Sequence, residues 1–500
     1  MAYQRILALF TCILIVTANF ASAAQTNTQS PAGASAMPPA TPSATSPGVA
    51  SPATTGSAPV FQTGATVPIS PGSSLTLKRA ISIALEYHPR IKEAAENTNV
   101  ASERVGEARS LLGPQVLGIG EDLGSTLNGI ANTSYYDPAG MFPRMTGRNH
   151  DLPSNNFSQN WDTSNNYMSG VAVSQFLFDF GRRHGFVAQR RFEAAAASAT
   201  EDLTKLDLIF EVSQRYFEVL QAKALIRVYE KAVQQRQYHL HEAQVKANAG
   251  LRPQLDVYVT QAEVERAELH LVDAKNAYAD AKASLNNAMG MSDRMPNYHL
   301  TDILTYSPVT ESLPTLLNEA MQQRPDLKAL NDQARAMGAR IVQYKSDYYP
   351  TVNAMSGYSA MGTGLPAVNN FNVGILVTWP IFNSFLTTHQ VAEAAAQQRA
   401  VQDGINDLQQ RVILEVQTTF LNLQAALQRI RRAEKALAAS RAQLELAEKR
   451  YETGLTNIVE LEDAQRYYTY DDAAYASALY GFSVAKASVD RATGRAISGI

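Results

Sequence analysis

The stretch Arg450-Tyr451-Glu452-Thr453-Gly454-Leu455-Thr456-Asn457-Ile458-Val459-Glu460-Leu461-Glu462-Asp463 decides how this sequence folds. Upstream of it, Ile430, Leu437, Leu444 and Tyr451 recur every seven residues, and downstream Leu461, Tyr468, Tyr475, Phe482 and Val489 do the same. A strict seven-residue apolar repeat keeps one seam turned toward a partner helix and imposes a left-handed supercoil. Between the two runs, Gly454 is the natural stop, because glycine enters the left-handed C-cap conformation without a Cβ clash. The stretch reads as the tip of an antiparallel coiled-coil hairpin.

The device occurs twice. Lys246-Ala247-Asn248-Ala249-Gly250-Leu251-Arg252-Pro253-Gln254-Leu255-Asp256 lies 204 residues earlier (454 − 250). Its incoming seam is Ile226, Val233, Leu240 and Ala247; its outgoing seam is Val257, Val264, Leu271, Tyr278 and Leu285. Each falls 204 residues before a seam position of the later hairpin. Earlier in each half, Tyr87-His88-Pro89-Arg90-Ile91-Lys92 and Arg324-Pro325-Asp326-Leu327-Lys328 place a proline where one helix stops and the next starts. The amphipathic runs Leu77–Leu85 and Leu316–Gln323 precede these prolines. The following helices end at Gly113-Pro114 and Tyr349-Pro350. Here the offset is 236 (325 − 89).

After the second prolines the period changes from helical to alternating. Strands are expected at about 115–122 and 167–178, and at about 351–358 and 371–382. Segments of this length cross a bilayer when tilted. The fall in offset from 236 to 204 puts 32 extra residues in the first half, around Asn128–Asp162, as a long loop at a hairpin end. Phe178-Asp179-Phe180-Gly181-Arg182 and Ile381-Phe382-Asn383-Ser384 then lead into long helices. Arg182–Asn248 would extend about 100 Å at 1.5 Å per residue. Gly404 and the chain from Gly290 to Leu313 are the expected interruptions, and both returning helices end at matched glycines, Gly290 and Gly494. The domain reading is a signal peptide at 1–24, a disordered Pro/Ala/Ser/Thr-rich segment at 25–73, a first repeat at 74–290, a linker at 291–312, a second repeat at 313–494 and a tail at 495–500.

Five hundred residues exceed one ordinary compact core. The formal net charge is −3, with no basic stripe, so nucleic acid is not an expected partner. The single cysteine is Cys12, inside the apolar run Ile6–Val16, which has the features of a secretory signal. The mature chain then has no disulfide framework and no thiolate metal site. The segment 25–73 cannot bury enough apolar surface to order itself; an inert tail and a tether near a cell wall both fit its composition. Four membrane-length strands cannot close a barrel, and an open sheet edge in lipid leaves backbone groups unpaired. Several chains must therefore share one barrel if the strands span a membrane.

This doubled order resembles the TolC-like outer-membrane efflux proteins over about residues 75–494. The carriers are the helix-Pro signals at Pro89 and Pro325, the Phe178-Asp179-Phe180-Gly181 strand exit, and Tyr451-x-x-Gly454-Leu455 followed by acidic residues. The resemblance implies a mainly α fold with a membrane β-barrel: a homotrimer sharing twelve strands in outer-membrane lipid, with an α-helical tunnel across the periplasm. It implies docking of the tips on a periplasmic adaptor protein that leads to an inner-membrane pump. Gly250, Leu251, Gly454 and Leu455 match the tip turns; a helix cap and a leucine covering it would explain the same residues without a partner. Glu460 and Asp463 match the acidic ring at the narrow entrance, although a solvated helix face has the same pattern. Asp256 and Tyr451 match the closing network, in which the family example has a cation where this chain has Thr456; Arg252, two residues after the other tip glycine, is the candidate substitute.

No catalytic set emerges. His241-Glu242 has no second histidine at position 245, and no Gly-rich loop ends in Lys-Ser or Lys-Thr, so neither an enzyme nor a cofactor is expected. Tyr467, Tyr468, Tyr470 and Tyr475 read as helix packing before they read as a ligand track. The expected function is a passive exit duct for small molecules. Type I protein secretion is the alternative within the duct class, and a trimeric coiled-coil spacer or adhesin the alternative outside it.

Overall fold

The computed structural model describes residues 73–126, 163–291, 298–302, 306, 311–362 and 368–495. The expected signal peptide, the Pro/Ala/Ser/Thr-rich segment apart from Ser73, and the long loop around 128–162 lie outside these residues. So does the end of the tail. In chain order the elements are β1 (Ser73–Leu75), α1 (Leu77–Tyr87), α2 (Pro89–Ser110), β2 (Gln115–Thr126), β3 (Thr163–Phe178), α3 (Arg182–Asn248) and α4 (Gln254–Ala288). After these come β4 (Tyr298–Leu300), α5 (Leu313–Gln323), α6 (Pro325–Lys345), β5 (Thr351–Gly362), β6 (Val368–Thr378), α7 (Leu386–Glu452) and α8 (Ile458–Thr493).

The helix boundaries follow their capping residues. Thr76 and Ser312 accept from the backbone N–H groups of Arg79 and Thr315, closing the first turns of α1 and α5. His88 and Arg324 each serve as the cap shared by two helices, with Pro89 and Pro325 in the first turns of α2 and α6. Beside each cap a matched glycine makes room. A Cβ on Gly290 would sit 2.8 Å from His88 Cα, and one on Gly494 3.1 Å from Arg324 Cα. Arg324 fixes this corner of the second half: its guanidinium binds Asp326 at 2.7 Å, Glu415 at 2.6 Å and the Ala492 carbonyl at 3.0 Å.

The sheet order is β2-β3-β5-β6, every neighbour antiparallel. The registers Gly118↔Val171↔Tyr358↔Phe371 put Val116, Val171, Tyr358, Phe371, Val373, Ile375 and Val377 on one face, and these are exposed. The other face is mixed, carrying Ala172, Ser359, Asn353, Gly357, Asn372 and Gly374 together with Leu117, Ile119, Met355 and Leu376. Met168, Ala172 and Ser359 are buried there although no helix layer covers the sheet among the described residues. Met168 and Ala172 pack with Ile119 in a small apolar cluster on this face. A register shift between Phe176 and Phe178 turns the end of β3, so that Phe178 pairs with Val352.

Three expectations need correction. The strand expected at 371–382 ends at Thr378, because Pro380 cannot donate to a ladder and Ser384 and Phe385 turn the chain with φ of 53° and 64°. Gly404 does not interrupt α7, which runs 67 residues; one glycine costs about 1 kcal/mol, and packing along both sides outweighs it. The segment expected to be disordered through 73 is ordered at its last residue: Ser73 opens β1, which pairs in parallel with β4, Tyr298–Leu300 of the linker.

The long helices α3 and α7 each pack against their returning partners, α4 and α8, while α3 also touches α2, α6 and α8. Two cores repeat the same plan. Leu77, Ala80 and Ile83 of α1 meet Val212, Tyr216 and Val219 of α3, and Leu316 and Ala320 of α5 meet Val412 and Val416 of α7. In the first core the Tyr216 hydroxyl lies 2.6 Å from the Asp302 carboxylate and 2.9 Å from the Leu75 carbonyl, two acceptors for its one proton, which pins β1 and β4 against α3.

Candidate functional site

The two tips have the same backbone. Gly250 and Gly454 take φ of 72° and 76°. The Leu251 N–H reaches the Lys246 carbonyl at 2.9 Å, and the Leu455 N–H reaches the Arg450 carbonyl at 2.8 Å. This is the six-to-one closure of a glycine-terminated helix. It leaves Leu251 and Leu455 at the apices, 74% and 73% exposed, with Leu255 and Val459 also uncovered. The exit from the second tip is fixed by Asn457, whose side chain accepts the Glu460 N–H at 3.0 Å.

The tips are joined to one another. Tyr451 is fully buried, and its ring lies between the Lys246 ammonium at 4.7 Å and the Arg252 guanidinium at 4.9 Å, both from the first hairpin. Arg252 also donates to the Thr456 carbonyl at 2.9 Å. Arg252 thus reaches Thr456 from the other tip. Asp256 is buried beside this group, but the Tyr451 hydroxyl makes no hydrogen bond. Burial first, then the Asp256 charge, pushes the Tyr451 phenol above its ordinary value.

Glu460 and Asp463 are partly exposed, and each has a cation of its own. Glu460 pairs with Arg450 at 2.9 Å and receives the Thr456 hydroxyl; Asp463 pairs with Arg466 at 2.7 Å. Of the tyrosines noted in the sequence, Tyr468 is buried, with its hydroxyl accepting from Lys231 at 2.7 Å, while Tyr467 and Tyr470 stay exposed.

Sequence reasoning missed a second polar cluster deeper in the hairpins. Arg236 of α3 lies 3.7 Å from Glu263 of α4 and 3.9 Å from Glu462 of α8. His239 lies 3.8 Å from Glu448 of α7 and 3.7 Å from Glu242. The Arg236, Glu462 and His239 side chains are almost wholly buried, and both Glu462 carboxylate oxygens lack hydrogen-bond partners. Burial raises the Glu462 carboxyl above the usual range, against the pull of Arg236. One signal was available: in the phase set by Val233 and Leu240, Arg236 occupies an inward heptad position, where a charge is costly.

The model of one family, outer membrane efflux protein, matches residues 80–291 and 316–495. The chain belongs to the outer membrane efflux protein family. Two relatives are outer membrane protein TolC of Vibrio cholerae, 24% identical over 82% of this chain and 89% of the relative, and cation efflux system protein CusC of Escherichia coli, 22% identical over 66% and 73%. Among solved structures, a CusC crystal structure aligns with a TM-score of 0.70 at 19% identity, covering 85% of this chain and 94% of that one. The outer membrane protein VceC from Vibrio cholerae aligns at 0.69 and 17%, covering 84% and 97%. The efflux-protein fold and its place in the outer membrane, extending into the periplasm, follow.

Proposed function

We propose that three copies of this chain form a passive exit duct, with twelve strands closing one barrel and the helices walling a tunnel below it. The single observation that carries this reading is the four-stranded sheet with two open edges. One face is apolar and exposed, the other mixes small, polar and apolar residues, and β2 and β6 each pair on one side only among the described residues. Such a sheet is stable in lipid when its edges pair with those of neighbours. Two further features support it. Phe178, Phe180, Tyr348, Tyr349, Trp379, Phe382 and Phe385 gather where the sheet meets the helices, a suitable aromatic belt for the membrane boundary. Exposed apolar residues also keep the heptad spacing on the helices, with Leu414 and Leu421 on α7, Tyr238 and Val245 on α3, and Tyr258 and Val272 on α4.

The exposed Leu251 and Leu455 apices are the surfaces offered to a periplasmic adaptor, and through it to an inner-membrane pump that supplies the energy. The cargo is small molecules; the relatives include a cation efflux system protein. The protein transports and does no bond chemistry of its own. The acidic pair Glu460 and Asp463 lines the entrance.

Purified protein in planar bilayers tests the reading. A duct gives discrete conductance steps and a cross-linked ladder ending at three chains. A coiled-coil spacer gives the ladder and no current. Deletion of the gene, followed by drug susceptibility and profiling of secreted protein, separates small-molecule efflux from protein secretion.

A further inference from the structure

Above the tunnel, where β3 hands over to α3, the junction holds a recess of about 430 Å³ on the sheet face that carries Asn353. Leu111, Arg182, Arg183, Phe186, Gln343 and Asn353 line it, together with Asp179 and Thr351. The Arg183 guanidinium carbon lies over the Phe176 ring, 4.2 Å from its centre. Stacking of this kind leaves the edge of the guanidinium free to donate. Its Nη1 is shut away from solvent yet has no hydrogen-bond partner. No carboxylate pairs with this side chain among the described residues. The two acids nearby are already engaged: Asp179 accepts the Gly181 and Arg183 backbone N–H groups at 3.2 and 2.9 Å, and Asp347 holds Arg182 at 3.1 Å.

The second half shows that the fold does not need this arginine. It makes the same turn, with positive φ at Ser384 and Phe385 in place of Phe180 and Gly181. At the matching offset it carries Leu386 and Thr387 in place of Arg182 and Arg183, and Pro380 in place of Phe176. The Thr387 hydroxyl is satisfied by Asn383 at 2.7 Å. An arginine with no carboxylate partner among the described residues, lining an open recess and dispensable to the scaffold, has guanidinium donors left for a ligand acceptor.

We propose that this recess binds the carboxylate or phosphate group of a passing solute, with Arg183 as the recognising residue. The lumen-side placement rests on the exit-duct reading. In a trimer the recess recurs three times at the mouth between tunnel and barrel, a relay point that favours anionic or zwitterionic cargo. Charge-assisted bonds to a guanidinium are among the stronger polar contacts, and a sheltered site strengthens them.

Calorimetric titration of the full-length, detergent-purified protein with inorganic pyrophosphate tests this directly. The expected result is saturable binding at one site per chain, weakened at least about tenfold in Arg183→Gln and kept within about fivefold in Arg183→Lys. Asn353→Asp, which leaves the Arg183 stacking intact and puts a competing carboxylate in the recess, should also weaken binding about tenfold. In bilayers, pyrophosphate should lower the wild-type current and leave that of Arg183→Gln unchanged. Absence of binding to the wild type, or wild-type affinity in either Arg183→Gln or Asn353→Asp, overturns the proposal. The duct reading fails separately: no variant would then conduct, while the calorimetry would still decide the recess.

Discussion

A methyl group added at Gly290 would meet His88 Cα at 2.8 Å, whereas one added at Gly250 meets nothing within 4 Å. Both glycines have positive φ, so alanine costs about 1–2 kcal/mol of backbone strain at either. Only Gly290→Ala adds overpacking, about 1–3 kcal/mol more. Thermal melts followed by helical circular dichroism should rank Gly290→Ala well below Gly250→Ala, and equal melts would contradict the close packing at the His88 cap. A second test uses protons. Burial pushes the Asp490 carboxyl up to about 6 from 3.8, against Lys486 and Arg495. With the folded value raised, its contribution to stability is complete below about pH 3.8 and lost as pH rises through 6. Asp490→Asn should therefore melt higher than wild type above pH 6, and the gap should close as the pH is lowered toward 4. At this scale the sequence revealed the glycines, because a helix end with matched offsets has few other causes. It did not reveal Arg183, whose surroundings come from β3, α3, α6, β5 and the turn after α2.

Between elements, the Arg236 cluster ties the first hairpin to the second. Arg236→Met leaves Glu462 buried without its cation, while Glu263 keeps Arg266, and should cost about 3–5 kcal/mol. Adding Glu462→Gln should recover part of that loss, because the neutral amide carries no charge to desolvate. A double-mutant cycle by urea denaturation measures this, and strict additivity would show that the two side chains do not interact. Glu462→Gln alone should stabilise at neutral pH and lose the advantage in acid, since the raised carboxyl is protonated there anyway. The helices and their tips were legible because a seven-residue period persists over many turns. The β1–β4 pair was not: three residues on each side carry no period, and their pairing is set by Tyr216 and Asp302. The end of β6 was misplaced because Ile381 and Phe382 continue the apolar run after Pro380 has ended the ladder. They are 85% and 74% exposed, as residues of an aromatic boundary rather than of a strand.

For the whole molecule, the Leu414 and Leu421 stripe makes a claim about assembly. Replacing both with Glu should abolish the three-chain cross-linked species while leaving helical content unchanged; retention of that species would move the subunit contact elsewhere. The entrance makes another. Arg450 and Arg466 are held by Glu460 and Asp463, so Glu460→Ala with Asp463→Ala removes two negative charges and frees two positive ones per chain. Reversal potentials across a salt gradient should shift from cation preference toward anions, and unchanged selectivity would exclude these residues from the conduction path. The Arg252–Thr456 bond has a consequence for valency. Two apices fixed to one another form one bidentate handle, so a partner grasping the first meets the second at high local concentration. A threefold assembly then offers three graspable units rather than six, and the guanidinium of Arg252 is what sets that number.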